Sequence, residues 1–225
     1  MESTGEREKL QREIAAMAAR LIVEEGRDSA QAKRKAALAL AGNRARSPAV
    51  LPDKEQMDRA LRAYLRTVVG APHAAMLRRR RTAAVHWMQI LEAFRPHLVG
   101  AVLDGSATEH APIKLNLYTE SAKDVELALL ERGIDFRVTE ASCGDGHAQE
   151  VIGFLARSTE GAAGEPPLAI LLTVYEPAAQ RIAPSARSSD PLLHPIERRG
   201  RADIALLRQL LDESDAGAGL PGTRE

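Results

Sequence analysis

The chain has 225 residues, of which 44% are hydrophobic but only 3% aromatic, so its core must be built mainly from Ala, Leu, Val and Ile. That length is enough for one large domain or two small ones. The sequence has no uncharged apolar run of about 18 residues, no signal-peptide core near its charged start, and one cysteine, which excludes an internal disulfide. We therefore expect a cytoplasmic protein without a membrane segment.

The formal net charge of +0 conceals an asymmetry. Residues 1–100 carry 19 Lys and Arg against 11 Asp and Glu, whereas residues 101–225 carry 12 against 20. The first interpretation is that the two halves attract each other or a second copy, which would give a homo-oligomer. The alternative is a basic N-terminal surface that meets an anionic partner.

The first 70 residues show apolar positions at helical spacing, as in the series Leu10, Ile14, Met17 and Leu21. Asp53, followed three residues later by Gln56, is typical of a capping box at the start of a helix. Gly70-Ala71-Pro72 is the best candidate for a domain boundary. The sequence therefore predicts a small all-α N-terminal module over residues 1–70, with helices at residues 6–25, 29–41 and 53–69.

The period then changes from helical spacing to short apolar runs. After a helix at residues 74–94, strands are expected at residues 98–103, 113–118, 136–140, 150–157 and 168–175, with a helix near residues 121–133. Gly-rich loops are expected at residues 142–147 and 158–167, an irregular stretch at 177–200, a helix at 201–213 and a disordered tail at 214–225. The fold class is therefore α+β: a mixed sheet with helices packed on one face, over residues 74–213.

The stretch from residue 98 to residue 118 reads as a strand, a Gly105-Ser106 turn and a second strand. This pattern resembles the nucleotidyltransferase fold of the DNA polymerase beta superfamily, and the N-terminal helices resemble those of an uncharacterised bacterial group of nucleotidyltransferase-like proteins. The resemblance implies that the Gly-Ser pair lies near nucleotide phosphates and that two aspartates on the next strand bind catalytic metals. Here Lys114 and Asn116 occupy those two positions, and Thr173 and Tyr175 lie on the later strand where a further carboxylate is expected.

An ammonium group repels a metal ion, and an amide is a weak ligand for Mg²⁺. We therefore expect no catalytic residues and no cofactor, and a binding or regulatory role with a nucleotide or RNA as the partner. The turn amides of Gly105 and Ser106, together with Lys114 and Asn116, would receive the phosphate.

Three alternatives remain open, and one of them is a plain interaction protein whose basic and acidic halves drive self-association. An active, magnesium-dependent nucleotidyltransferase would have to use displaced acids, of which Asp104 and Glu176 are the nearest. Asp104 is better suited to hydrogen-bonding the amides of its own turn than to binding a metal. A nucleic-acid surface would need several cations on one side of the N-terminal helices. The candidates for it are Lys33, Arg34, Lys35, Arg59, Arg62 and Arg66.

The run Arg78-Arg79-Arg80-Arg81 spreads around a helix rather than along one side of it, so we expect it to be solvated. Cys143 and His147 are too few to hold zinc.

Overall fold

The computed structural model describes residues 4–142, 148–157, 166–182 and 188–218. The chain divides into two compact units, Met1–Ala75 and Met76–Glu225. Within the described residues, no helix is both long and apolar enough to cross a membrane. Cys143 and His147 lie outside the described residues, and so does most of each Gly-rich loop expected at residues 142–147 and 158–167.

The first unit contains three helices, α1 (Thr4–Glu25), α2 (Ser29–Ala41) and α3 (Lys54–Tyr64), as the sequence predicted. Asp28 caps α2, and Asp53 and Gln56 form the predicted capping box at the start of α3. A single turn of π-helix, Leu65–Val69, follows α3. The core of this unit is formed mainly by small and aliphatic side chains, namely Ile14, Ala15, Ala18, Leu21, Ala32, Ala36, Ala37, Val50 and Met57.

The second unit begins within α4 (Ala71–Ile90) and is built on a six-stranded mixed sheet, which confirms an α+β fold. The strands in chain order are β1 (His97–Val99), β2 (Ile113–Tyr118), β3 (Phe136–Ser142), β4 (Ala148–Ala156), β5 (Leu168–Tyr175) and β6 (Arg201–Ala202). Their order across the sheet is β3-β4-β5-β2-β1-β6. The central pair β2–β5 is parallel, and the other pairs are antiparallel.

One face of the sheet carries the hydrophobic core of this unit. On β2, the alternate residues Ile113, Leu115 and Leu117 are fully buried and lie opposite the apolar residues of β5 in the parallel register. The same cluster contains side chains of α4, of α6 (Ala122–Leu130) and of α7 (Ile204–Ala218), among them Met88, Val125, Leu129, Leu207 and Leu210. The strand residues of this cluster lie on the buried face of the sheet, so the residues that alternate with them lie on the opposite face.

Three local predictions were wrong. The expected strand at 98–103 ends at Val99, and residues Ala101–Asp104 form a short helix, α5, after Gly100 takes a positive φ of 72°. The last helix begins at Ile204 rather than at residue 201, because Arg201 and Ala202 pair with β1. That helix continues to Ala218, so the first part of the expected disordered tail is helical, while residues 219–225 lie outside the described part of the chain.

Candidate functional site

The sheet presents a second face, opposite the hydrophobic cluster, which we call the open face. Because successive strand residues point to opposite sides, the register assigns every alternate residue to it. Its members on the six strands are His97, Val99, Lys114, Asn116, Tyr118, Arg137, Thr139, Gln149, Val151, Gly153, Leu155, Ala169, Leu171, Thr173, Tyr175 and Arg201. This set contains three permanent cations and a histidine but no carboxylate.

Lys114 and Asn116 lie at the centre of the open face. Asn116 is opposite His97 on one side and Thr173 on the other, so three polar side chains form a row across β1, β2 and β5. Lys114 is exposed, and its stem passes close to Gly100, where an added Cβ would lie 3.6 Å from Lys114 Cδ. The positions that the resemblance assigns to metal-binding carboxylates therefore hold an ammonium and an amide on one accessible face.

An aromatic series runs along the same face beside Lys114 and Asn116. The rings of His97 and Tyr118 meet edge to face with centroids 5.2 Å apart, and Tyr118 stacks on Tyr175 at 5.9 Å. The Tyr118 hydroxyl accepts a long hydrogen bond of 3.5 Å from Arg201 Nη1. Tyr118 is buried by these neighbours, whereas His97 and Tyr175 remain half-exposed.

The pKa of His97 is lowered, which favours the neutral form of its ring. Burial is the main reason that its pKa lies below the usual 6.5, and the nearby charge of Arg201 lowers that pKa further. Its Nδ1 lies 3.0 Å from the Arg95 carbonyl oxygen, so the Nδ1–H tautomer donates there and Nε2 is left as an acceptor. The positive charge of the open face therefore comes from Lys114, Arg137 and Arg201.

The Gly105-Ser106 turn is organised by its own aspartate. The Ser106 N–H and hydroxyl both donate to Asp104 Oδ1, at 2.9 and 2.6 Å. Gly105 adopts the left-handed conformation, with a φ of 79°, and a Cβ added to it would lie 3.9 Å from Glu197 Oε1. The amide of Ser106 is thus engaged by a carboxylate, and a second carboxylate lies near Gly105, so this turn is less suited to receive a phosphate than the open face.

Two arginines of α4 anchor the segment that connects β1 to β2. Arg81 donates to the carbonyls of Val102 and Leu103 at 3.0 and 2.8 Å and pairs with Glu197 Oε1 at 2.6 Å. Arg80 donates to the carbonyls of Glu109 and Ala111. Arg81 is 5% exposed and Arg80 is 7% exposed, so the expectation that this basic run is wholly solvated was wrong.

Burial also lowers the pKa of Arg80 below its ordinary value, since the uncharged form is favoured where water is excluded.

The displaced acids do not assemble a metal site with other ligands. Glu176 is exposed just after β5, where it precedes the short helix Pro177–Arg181, and Asp104 belongs to the Ser106 turn. Among residues 4–142, 148–157, 166–182 and 188–218 there is no group of three or more His, Cys, Asp or Glu side chains arranged to hold a metal ion.

The basic residues of the N-terminal helices lie in different environments. Lys35 pairs with Glu25 at 2.9 Å, and Arg59 lies 3.9 Å from Glu55. Arg62 is only 7% exposed, so it interrupts the stripe that was expected to run from Arg59 to Arg66. Lys33 is half-buried with its ammonium 3.5 Å from the Pro52 carbonyl, while Arg34 and Arg66 are exposed.

Comparison of the chain with models of protein families, with curated proteins and with solved structures found no match in any of the three. Its function therefore has to be inferred from the residues themselves.

Proposed function

We propose that the protein is a non-catalytic nucleotidyltransferase-like protein whose open face binds the phosphate groups of a nucleotide or of RNA. The observation that carries this proposal is the composition of that face, which has three cations, a neutral histidine and no carboxylate on the described strands. The helices and the opposite face of the sheet contribute to one hydrophobic cluster. The resemblance to the nucleotidyltransferase fold implies this arrangement.

The spacing of the cations suits a ligand with more than one phosphate. Lys114 and Arg201 lie on the two sides of Val99 in register, which places their strands roughly 10 Å apart at about 4.8 Å per strand. Both side chains are long enough to lean toward a common anion. A diphosphate or triphosphate, or successive phosphates of a single strand, would meet both charges.

The remaining side chains add the features of a nucleotide site. The half-exposed rings of His97 and Tyr175 offer surfaces on which a base can stack, and Asn116 and Thr173 offer hydrogen-bond donors and acceptors between them. Because an ammonium group stands where a metal ligand would be needed, we expect binding to proceed without Mg²⁺ and without turnover.

Titration calorimetry with ATP and with a short oligouridylate, each with and without Mg²⁺, tests the proposal. Replacement of Lys114 by Gln should weaken binding about tenfold, the equivalent of about 1.4 kcal/mol. The matched control is Lys123→Gln, because Lys123 is an exposed lysine of the same unit that lies on α6 and pairs with Glu126.

Equal loss of affinity in the two lysine variants would contradict the proposal. Metal-dependent turnover of a triphosphate that disappears in Asp104→Asn would replace it with the active-enzyme alternative.

A further inference from the structure

A groove with a volume of about 620 Å³ lies at the β3 side of the sheet, away from Lys114 and Asn116. It is lined by Trp87 of α4, by residues 133–137 at the entrance to β3 and by residues 153–157 at the end of β4. Ligand-binding clefts typically enclose about 300–1,000 Å³, so the groove is large enough for a small molecule.

The groove exists because β4 continues past the start of β3. The β3–β4 register ends at the pair Phe136 and Phe154, whereas β4 stays paired with β5 as far as Ala156. Before Phe136, the chain turns away through Gly133, which has a φ of 67° and open space where a Cβ would stand. The space between the two diverging segments is therefore a consequence of strand length and of one glycine.

Aromatic and apolar side chains form the floor. The rings of Trp87 and Phe154 pack edge to face with centroids 4.7 Å apart, and Phe136 lies directly opposite Phe154 in the register. Phe154 is buried, while Trp87 and Phe136 are half-exposed. Such a floor favours a flat ring system, because planar faces pack and stack on it with little loss of conformational freedom.

The rim carries three charged side chains, those of Asp135, Arg137 and Arg157, and all three are exposed. None of them forms a hydrogen bond or an ion pair with another residue in the described part of the chain. Guanidinium groups bind carboxylate and phosphate oxygens in a bidentate manner and also stack on aromatic rings. With two arginines against one aspartate, the rim has a net charge of +1, which suits one anionic group.

We propose that this groove binds a planar aromatic molecule that carries a single anionic group. Phe136 and Arg137 point to opposite faces at this edge of the sheet. The ring therefore lies against Trp87 and Phe136, and the anionic group reaches around the edge to Arg137 and Arg157. The groove shares Arg137 with the edge of the open face, but neither Lys114 nor Arg201 lines it, so its test depends on neither of those two residues.

Trp87 is the single tryptophan of the chain, so its fluorescence reports on this groove directly. The probe is 1-anilinonaphthalene-8-sulfonate, and the comparison compound is N-phenyl-1-naphthylamine, which has the same rings without the sulfonate. We expect saturable quenching of Trp87 by both compounds, with the sulfonate bound at least tenfold more tightly.

The Arg137→Gln/Arg157→Gln variant should raise the Kd of the sulfonate about tenfold or more and leave the Kd of the neutral amine within twofold. Arg208→Gln is the matched control, since Arg208 is an exposed arginine on α7 that does not line the groove. Far-ultraviolet circular dichroism of each variant verifies the fold. If the double variant unfolds, the same two Kd values are measured for Arg157→Gln alone.

Equal affinities for the sulfonate and the amine, or a double variant that behaves like Arg208→Gln, would overturn the proposal. If Lys114→Gln loses ATP binding while the probes still quench Trp87, the result bears only on the proposal for the open face, and the groove proposal is retained.

Discussion

Replacement of Arg81 by Ala should destabilise the second unit severely. The Arg81 side chain is 6% exposed and donates to two backbone carbonyls and to Glu197, whose own side chain is 14% exposed. Removal of one member of a buried, hydrogen-bonded ion pair costs about 3–5 kcal/mol, because its partner is left buried and uncompensated. The total stability of a domain is about 5–15 kcal/mol, so this loss is a large fraction of it.

Urea unfolding followed by Trp87 fluorescence measures this loss, since the single tryptophan lies in the second unit. With a denaturant slope of about 2 kcal/mol/M, the midpoint should fall by about 1.5–2.5 M. Arg79→Ala is the control, because Arg79 is an exposed neighbour on the same helix and should cost no more than about 0.5 kcal/mol.

A double variant provides the sharper check. When Arg81→Met is combined with Glu197→Met, both buried charges disappear together, so part of the stability lost in Arg81→Met alone should return. If Arg81→Ala shifts the midpoint no further than Arg79→Ala does, then Arg81 does not anchor the segment between β1 and β2, and the reasoning is wrong.

Three further outcomes are expected. Asp53→Ala removes the acceptor of a 2.8 Å capping bond and should cost the first unit about 1 kcal/mol by urea unfolding followed by circular dichroism; an unchanged midpoint would contradict the capping role. Burial lowers the pKa of His97 below 6.5, so the unfolded chain binds more protons than the folded chain. The second unit should therefore lose stability as the pH falls below about 6.5, and His97→Phe should flatten this dependence. An unaltered slope of stability against pH in His97→Phe would refute the role of His97. The hydrogen bond from Tyr64 is the largest cause of the lowered pKa of Glu24, so Tyr64→Phe should raise that pKa toward 4.5 in an NMR titration, and a pKa that stays put would disprove the link.

The helices and most strands were predictable because their signals are local. The capping box at Asp53 and Gln56 and the alternation of Ile113, Leu115 and Leu117 are contained in a few neighbouring residues. The break after Val99 was not predictable in this way, since the apolar run continues to Leu103 without a change in composition. Only the positive φ of Gly100 and the pairing of β1 with β6 decide where the strand stops.

The burial of Arg81 had a signal that was overlooked. Leu77, Arg81, Ala84 and Met88 lie at helical spacing, so Arg81 occupies the buried face of α4 although it belongs to a basic run. Its partner Glu197 is far away in the sequence, and no local pattern could reveal that pairing.

The open face required the register of the sheet. Lys114 and Asn116 were predicted to share one side of a strand, but their proximity to His97, Thr173 and Arg201 depends on pairings between distant strands. The groove beside Trp87 was not predicted at all, because it results from the unequal lengths of β3 and β4.

The central position of the parallel pair has a consequence for how the protein is made. β2 emerges from the ribosome before α6, β3 and β4, yet the strand that covers its far edge, β5, comes after all of them. During synthesis, the apolar segment Ile113–Tyr118 therefore has unpaired backbone groups along that edge until β5 has been made. The nascent chain is most vulnerable to association with its neighbours in that interval, and a stalled or truncated product that ends before β5 should require chaperones to stay in solution.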